Sequence, residues 1–143
     1  MTMRQFADHV IAVSNKSANG ISNLQLQKVM YFALGDYIKE YGIDSTVREI
    51  YTEPFQAWTY GPVVESEYHR YKKYGRFSIM DKGTYNDQYE IFNDYIVKYL
   101  GHSVNDLVEE SHSHSTWYKN RQSILLQKNV EYRIQDLEND FVN

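Results

Sequence analysis

Residues 23–41, NLQLQKVMYFALGDYIKEY, constrain the fold of this chain more than any other stretch. Ser22-Asn23-Leu24-Gln25 carries the Ser-x-x-Gln pattern of a capping box, and Gly42 follows as a stop, so the sequence predicts one long helix over about Asn23–Tyr41. At about 100° per residue, Leu26, Met30, Ala33, Leu34, Tyr37, Ile38 and Tyr41 share a broad apolar arc. Gln25, Lys28, Gly35, Asp36, Lys39 and Glu40 fall on the opposite side. Gln27 breaks the pattern, because it lies inside the apolar arc one turn from Tyr31. A buried amide needs partners or costs a few kcal/mol; it either bonds to a loop backbone or faces a binding partner.

Before this helix, Met3, Phe6, Ala7, Val10 and Ile11 recur with helical spacing, and Gly20 is expected to supply a positive-φ turn at SNKSANG. After it the chemistry changes. The only two prolines of the chain, Pro54 and Pro62, flank FQAWTYG, where Phe55, Ala57 and Thr59 alternate with Gln56, Trp58 and Tyr60. Short extended segments are predicted at Glu49–Tyr51 and Phe55–Thr59. Pro62 is placed in the first turn of a third helix running from about Val63 to Tyr74 and stopped by Gly75. Ile79 suggests a further short strand. A fourth helix is predicted over Gln88–Leu100, and a fifth follows the Ser103/Asp106 cap through about Glu110. SHSHSTWYKNR reads as a loop entering another helix or turn, and Ile134, Leu137 and Phe141 mark a closing helix. The expected architecture is one domain over residues 1–143, mainly α, with five to seven helices and a short β-hairpin or strand pair.

The chain has 143 residues, enough for a core without staples, and no cysteine, which removes disulfides, thiolate metal sites and thiol nucleophiles. Its net charge of −4 opposes binding to a polyanion except through a local patch. No apolar run is long enough to span a bilayer, and MTMRQFADHV lacks the order of a signal peptide, so a cytoplasmic location is expected. Fourteen tyrosines point to half-buried rings or to an interface.

Each chemical constellation has a plainer competitor. Gly61-Pro62 is a poor phosphate loop, since proline removes an N–H and no Gly-Lys-Ser/Thr follows, so a structural junction is expected. His102, His112 and His114, with Glu109 or Glu110, lack His-Glu-x-x-His spacing, and no metal site is assigned. The competing expectation is that His112 bonds within a turn while His114 is solvated. No Gly-x-Ser-x-Gly elbow exists, and neither catalytic residues nor a cofactor are assigned. Arg70, Lys72, Lys73 and Arg76, interleaved with Tyr71 and Tyr74, form a basic patch. It could hold single-stranded nucleic acid, but it also suits the negative end of a helix.

Two segments together resemble the Panacea domain family, described as SocA-like antitoxins and phage-associated GepA-type proteins. Leu26, Gln27, Lys28, Tyr31 and Phe32 match its first block, and Ala57, Trp58, Tyr60, Gly61, Pro62, Val63 and Tyr68 its second. Leu107, Ser111, His112 and Trp117 match a third. Ser22 and Ser111 stand for threonine, Val29 and Met30 for leucines, and His114 and Thr116 for an acidic residue and a proline.

The resemblance implies a protein-binding antitoxin that neutralises a cognate toxin by direct contact, in some members as an adaptor to an AAA+ protease. A phage-borne protein acting on a host factor, and a nucleic-acid binder through the basic patch, are the alternatives. Self-association is left open. Trp58 and Tyr60 are expected to pack the strand on the second helix, with Gln27 and His112 tying the junction.

Overall fold

The computed structural model describes residues 1–17 and 20–142. The turn expected at Gly20 falls partly on residues 18 and 19, outside the described residues. The fold is mainly α, with nine α-helices and one two-stranded antiparallel sheet among the described residues. It exceeds the expected helix number through short segments that periodicity cannot detect.

Helix α1 (Met3–Lys16) starts where the Thr2 hydroxyl accepts from Gln5 N, and buries Met3, Phe6, Ala7, Val10 and Ile11. Helix α2 (Asn23–Tyr41) begins at Ser22, whose hydroxyl accepts from Gln25 N, and ends at Gly42 with φ 78°. It is the central element, touched by α1, the hairpin and most of the later helices.

That position changes its faces. Lys28 and Gly35, expected on the polar side, are both buried, and Tyr41, expected in the apolar arc, is 59% exposed. A helix surrounded by others has no solvent face along its middle. Gly35 is where the closing helix α9 (Ile134–Val142) arrives: a Cβ there would collide with the Phe141 ring.

Residues 49 and 50, predicted extended, belong instead to helix α3 (Ser45–Ile50). The Asp44 carboxylate caps it by accepting from Val47 N at 3.0 Å. Strand β1 (Gln56–Trp58) pairs with β2 (Gly61–Val63), Gln56 opposite Val63, Ala57 opposite Pro62 and Trp58 opposite Gly61. Pro62 is therefore a strand residue rather than the start of a helix. Opposite Ala57 its missing N–H costs nothing, because that pair exchanges no ladder bonds. Helix α4 (Glu65–Tyr71) starts three residues later and passes through a 3-10 turn, Lys72–Tyr74, to Gly75 at φ 58°.

Ile79 donates to Ile21 O at 2.8 Å beside a single bridge between Ser22 and Ser78, so it joins no true strand. The predicted fourth helix divides into a 3-10 segment, Asp87–Phe92, and helix α5 (Asn93–Leu100). Helix α6 (Val104–Ser113) has the predicted Ser103 cap, 3.1 Å from Asp106 N. The stretch read as a loop is helical over most of its length: α6 extends into it, and α7 (Ser115–Lys119) and α8 (Arg121–Leu125) follow.

Candidate functional site at the hairpin elbow

Most of the singled-out residues meet around the β1–β2 hairpin, which α2 holds from beneath and α6–α7 from one side. Local sequence explains its shape. Thr59-Tyr60 leaves a two-residue connection, and Gly61, at φ 99°, re-enters the sheet in a conformation that side-chain-bearing residues rarely adopt. It also sits where there is no room: an added Cβ would lie 2.5 Å from Ser111 Oγ and 2.9 Å from Lys28 Cε.

Gln27 resolves its anomaly with three residues of backbone and side chain. Its Oε1 accepts from Val64 N at 2.8 Å, its Nε2 donates to Asn23 Oδ1 at 3.0 Å, and Asn23 Nδ2 donates to Tyr68 O at 2.9 Å. Lys28 is fully buried and donates to Pro62 O at 2.8 Å. It forms no ion pair among the described residues. Burial without a counter-charge lowers its pKa from 10.5 to about 7. Proline supplies the carbonyl that receives this ammonium.

On the other side, His112 Nε2 meets Thr59 O at 2.9 Å, and its ring stacks on Trp117 with centroids 3.8 Å apart. Trp117 Nε1 donates to Trp58 O at 2.9 Å. His112 thus bonds to the hairpin tip, 53 residues away in sequence, and not within its own turn. Burial lowers its pKa, which favours the neutral ring.

Trp58 and Tyr60 do not pack on α2. Strand alternation turns Ala57 inward instead, leaving Trp58 half-buried against Tyr68, edge-on at 5.0 Å, and Tyr60 64% exposed. The inward packing comes from Phe55, whose ring meets Tyr31 edge-on at 5.6 Å.

Tyr31 anchors a second cluster. Its hydroxyl donates to Asp140 Oδ2 at 3.1 Å and lies 2.7 Å from His114 Nδ1. A phenol has one proton, so once it is given to Asp140 the oxygen accepts from His114 Nδ1–H. Asp140 Oδ1 accepts from Thr116 N at 2.9 Å and Thr116 Oγ1 at 3.0 Å. His114 is therefore an anchor rather than a solvated side chain. Burial raises the Asp140 pKa and lowers that of His114. Asp140 was not singled out in the sequence, although it adjoins the apolar stripe of Leu137 and Phe141, the same signal that exposed Gln27.

His102 Nδ1 turns to Lys98 O at 2.9 Å, so the three neighbouring histidines have three different partners. Among the described residues no group of three or more His, Cys, Asp or Glu could hold a metal ion. No helix among them is long and apolar enough to cross a membrane. The basic patch is also divided: Arg70 Nη1 pairs with Asp8 at 3.2 Å and Glu67 at 3.4 Å, leaving Lys72, Lys73 and Arg76 exposed.

A hairpin clamped by buried polar anchors, with a ring displayed at its tip, defines a rigid mainly-α module whose motif residues bond to one another. Residues 26–118 match the family model described as antitoxin SocA-like, Panacea domain, and the chain belongs to that family. Membership supports an antitoxin-type, non-catalytic role with a protein partner. Comparison with curated proteins and with solved structures finds no match.

Proposed function

We propose that this chain is the antitoxin of a cytoplasmic toxin–antitoxin pair and neutralises its cognate toxin by direct stoichiometric contact. The observation that carries the reading is the match of residues 26–118 to the SocA-like antitoxin family. The elbow supports it physically. Gln27, Lys28, His112 and Trp117 bond to backbone groups in and beside the hairpin, which holds the backbone on both sides of Tyr60 in place before any partner arrives. Preorganisation of this kind lowers the entropy lost on association.

Expressing each adjacent gene alone and together with this chain tests the proposal. Growth arrest by one neighbour, relieved by co-expression and accompanied by a one-to-one complex in gel filtration, is the expected result. If no neighbour inhibits growth, the antitoxin reading fails. Neutralisation then proceeds either by occlusion or by delivery to an AAA+ protease. A toxin half-life that shortens only when both antitoxin and protease are present selects delivery.

A further inference from the structure

Beside the hairpin, on the side away from β2, lies a cleft of about 600 Å³ between Gln56–Thr59 and residues 127–130, with Ile124 and Glu65 completing its lining. Its walls explain what it can hold. Ala57 N donates to Val130 O and Tyr132 N to Phe55 O, both at 2.8 Å, which makes a single bridge between Gln56 and Glu131. The pairing stops there.

Val130 N returns no bond to Ala57 O, whose carbonyl points to the same side as the Ala57 N–H, away from Pro62. The open end of a strand ladder therefore faces the cleft, and such an edge is a template for another chain. The far wall is swung aside by the turn that ends α8. Lys128 N bonds Ser123 O and Gln127 N bonds Ile124 O, both at 2.9 Å, with Gln127 held at φ 59°. Among the described residues it is the one non-glycine with positive φ, a conformation that costs a side-chain-bearing residue about 1 kcal/mol. The floor is apolar, with Ala57 and Ile124 each 4% exposed, and next to it Leu125 and Leu126 stand 71% and 69% exposed.

We propose that this cleft seats a short extended segment of the partner protein, which lays an apolar side chain on Ile124 and Ala57 and bonds its main chain to Ala57 C=O and Val130 N–H. Leu125 and Leu126 cover the flanking residues of the segment, and Glu65 and Lys128, both exposed, set its direction by opposite charge on the two sides. An extended peptide suits the site because its backbone supplies a donor and an acceptor at strand spacing while alternate side chains point to the floor. The inference rests on the proposed antitoxin role and assigns it a division of labour. Gln56–Thr59 lie within the residues matched by the family, whereas 124–130 lie beyond residue 118, so the far wall is where this chain discriminates its own partner.

The test uses the full chain with one substitution, Asn129→Cys, which takes a single bimane label because the protein has no cysteine. Its binding partners are peptides tiled from any toxin found in the adjacent genes and, independently, short random peptides selected by display. Leu125→Glu/Leu126→Glu serves as the cleft variant, since both side chains are exposed and their loss spares the core. The expected result is a peptide with alternating apolar residues that shifts the bimane emission and binds the cleft variant at least about tenfold more weakly.

Toxin neutralisation unchanged in the cleft variant, with no emission change on toxin binding, overturns the cleft while leaving the antitoxin role intact. If no neighbour is toxic, the antitoxin role fails and the displayed peptides still decide. A selected family that requires the leucines supports the cleft, and failure to select any overturns it. Emission that changes with protein concentration alone assigns the cleft to a second copy of this chain and also overturns the proposal.

Discussion

Replacing Lys28 by methionine removes an ammonium that the fold buries completely against one carbonyl. Its pKa falls from 10.5 to about 7 on folding. Below pH 7 both folded and unfolded chains carry the proton, and folding bears the full cost of burying the charge. Between pH 7 and 10.5 the unfolded chain keeps a proton that the folded chain has released. Stability therefore rises with pH in this window, by about 1.4 kcal/mol per unit at most. From pH 7.5 to pH 9 the Lys28 contribution works out at about 2 kcal/mol.

The neighbouring titrations narrow the usable part of that window to about pH 7.5–9. Burial lowers the pKa values of His9, His112 and His114 from 6.5, and raises those of Glu67 and Asp140 from carboxylate values. The shifted tyrosines move upward from 10.0, so above about pH 9 the unfolded chain gives up their protons first and stability falls in wild type and variant alike.

Urea unfolding followed by Trp58 and Trp117 fluorescence at several pH values measures the effect. Between about pH 7.5 and 9 the wild type is expected to climb and Lys28→Met to stay nearly flat. At pH 7 the variant is expected to be more stable by about 1–3 kcal/mol, the removed desolvation cost less the lost bond to Pro62 O. A wild type without slope, or a variant with the same slope, refutes the reasoning that a charge is buried here unpaired.

Gln127→Gly is expected to raise stability by about 0.5–1 kcal/mol in urea unfolding, because glycine occupies the left-handed position after α8 without the Cβ penalty. The Tyr132 hydroxyl is buried with no hydrogen-bond partner among the described residues, so Tyr132→Phe is expected to stabilise by about 1 kcal/mol in the same assay. Gly61→Ala combines a positive φ with contacts to Ser111 and Lys28, and is expected to lose about 2–4 kcal/mol. Its melting curve and its loss of toxin protection should move together.

The long central helix, its cap at Ser22, the first strand of the hairpin and the mainly α character were legible in the sequence because each depends on local rules: capping, periodicity and alternation. Gln27 was legible for the same reason, as a polar residue in an apolar arc that had to find a backbone partner, and it found Val64 N. The second strand was not legible, because Pro62 reads as the start of a helix. The short helices α7 and α8 were not, since five residues are too few to display a helical period.

What only tertiary structure decided is which faces of the central helix meet protein. A single amphipathic arc assumes solvent on the other side; here α9 and the hairpin arrive on that side and bury Gly35 and Lys28. The pairing of Asp140 with Tyr31, 109 residues apart, and the open strand edge at Ala57 belong to the same class. They arise where distant segments converge. Sequence patterning reports how each segment divides apolar from polar, but the partner that closes over a polar face is chosen by the packing of the whole chain.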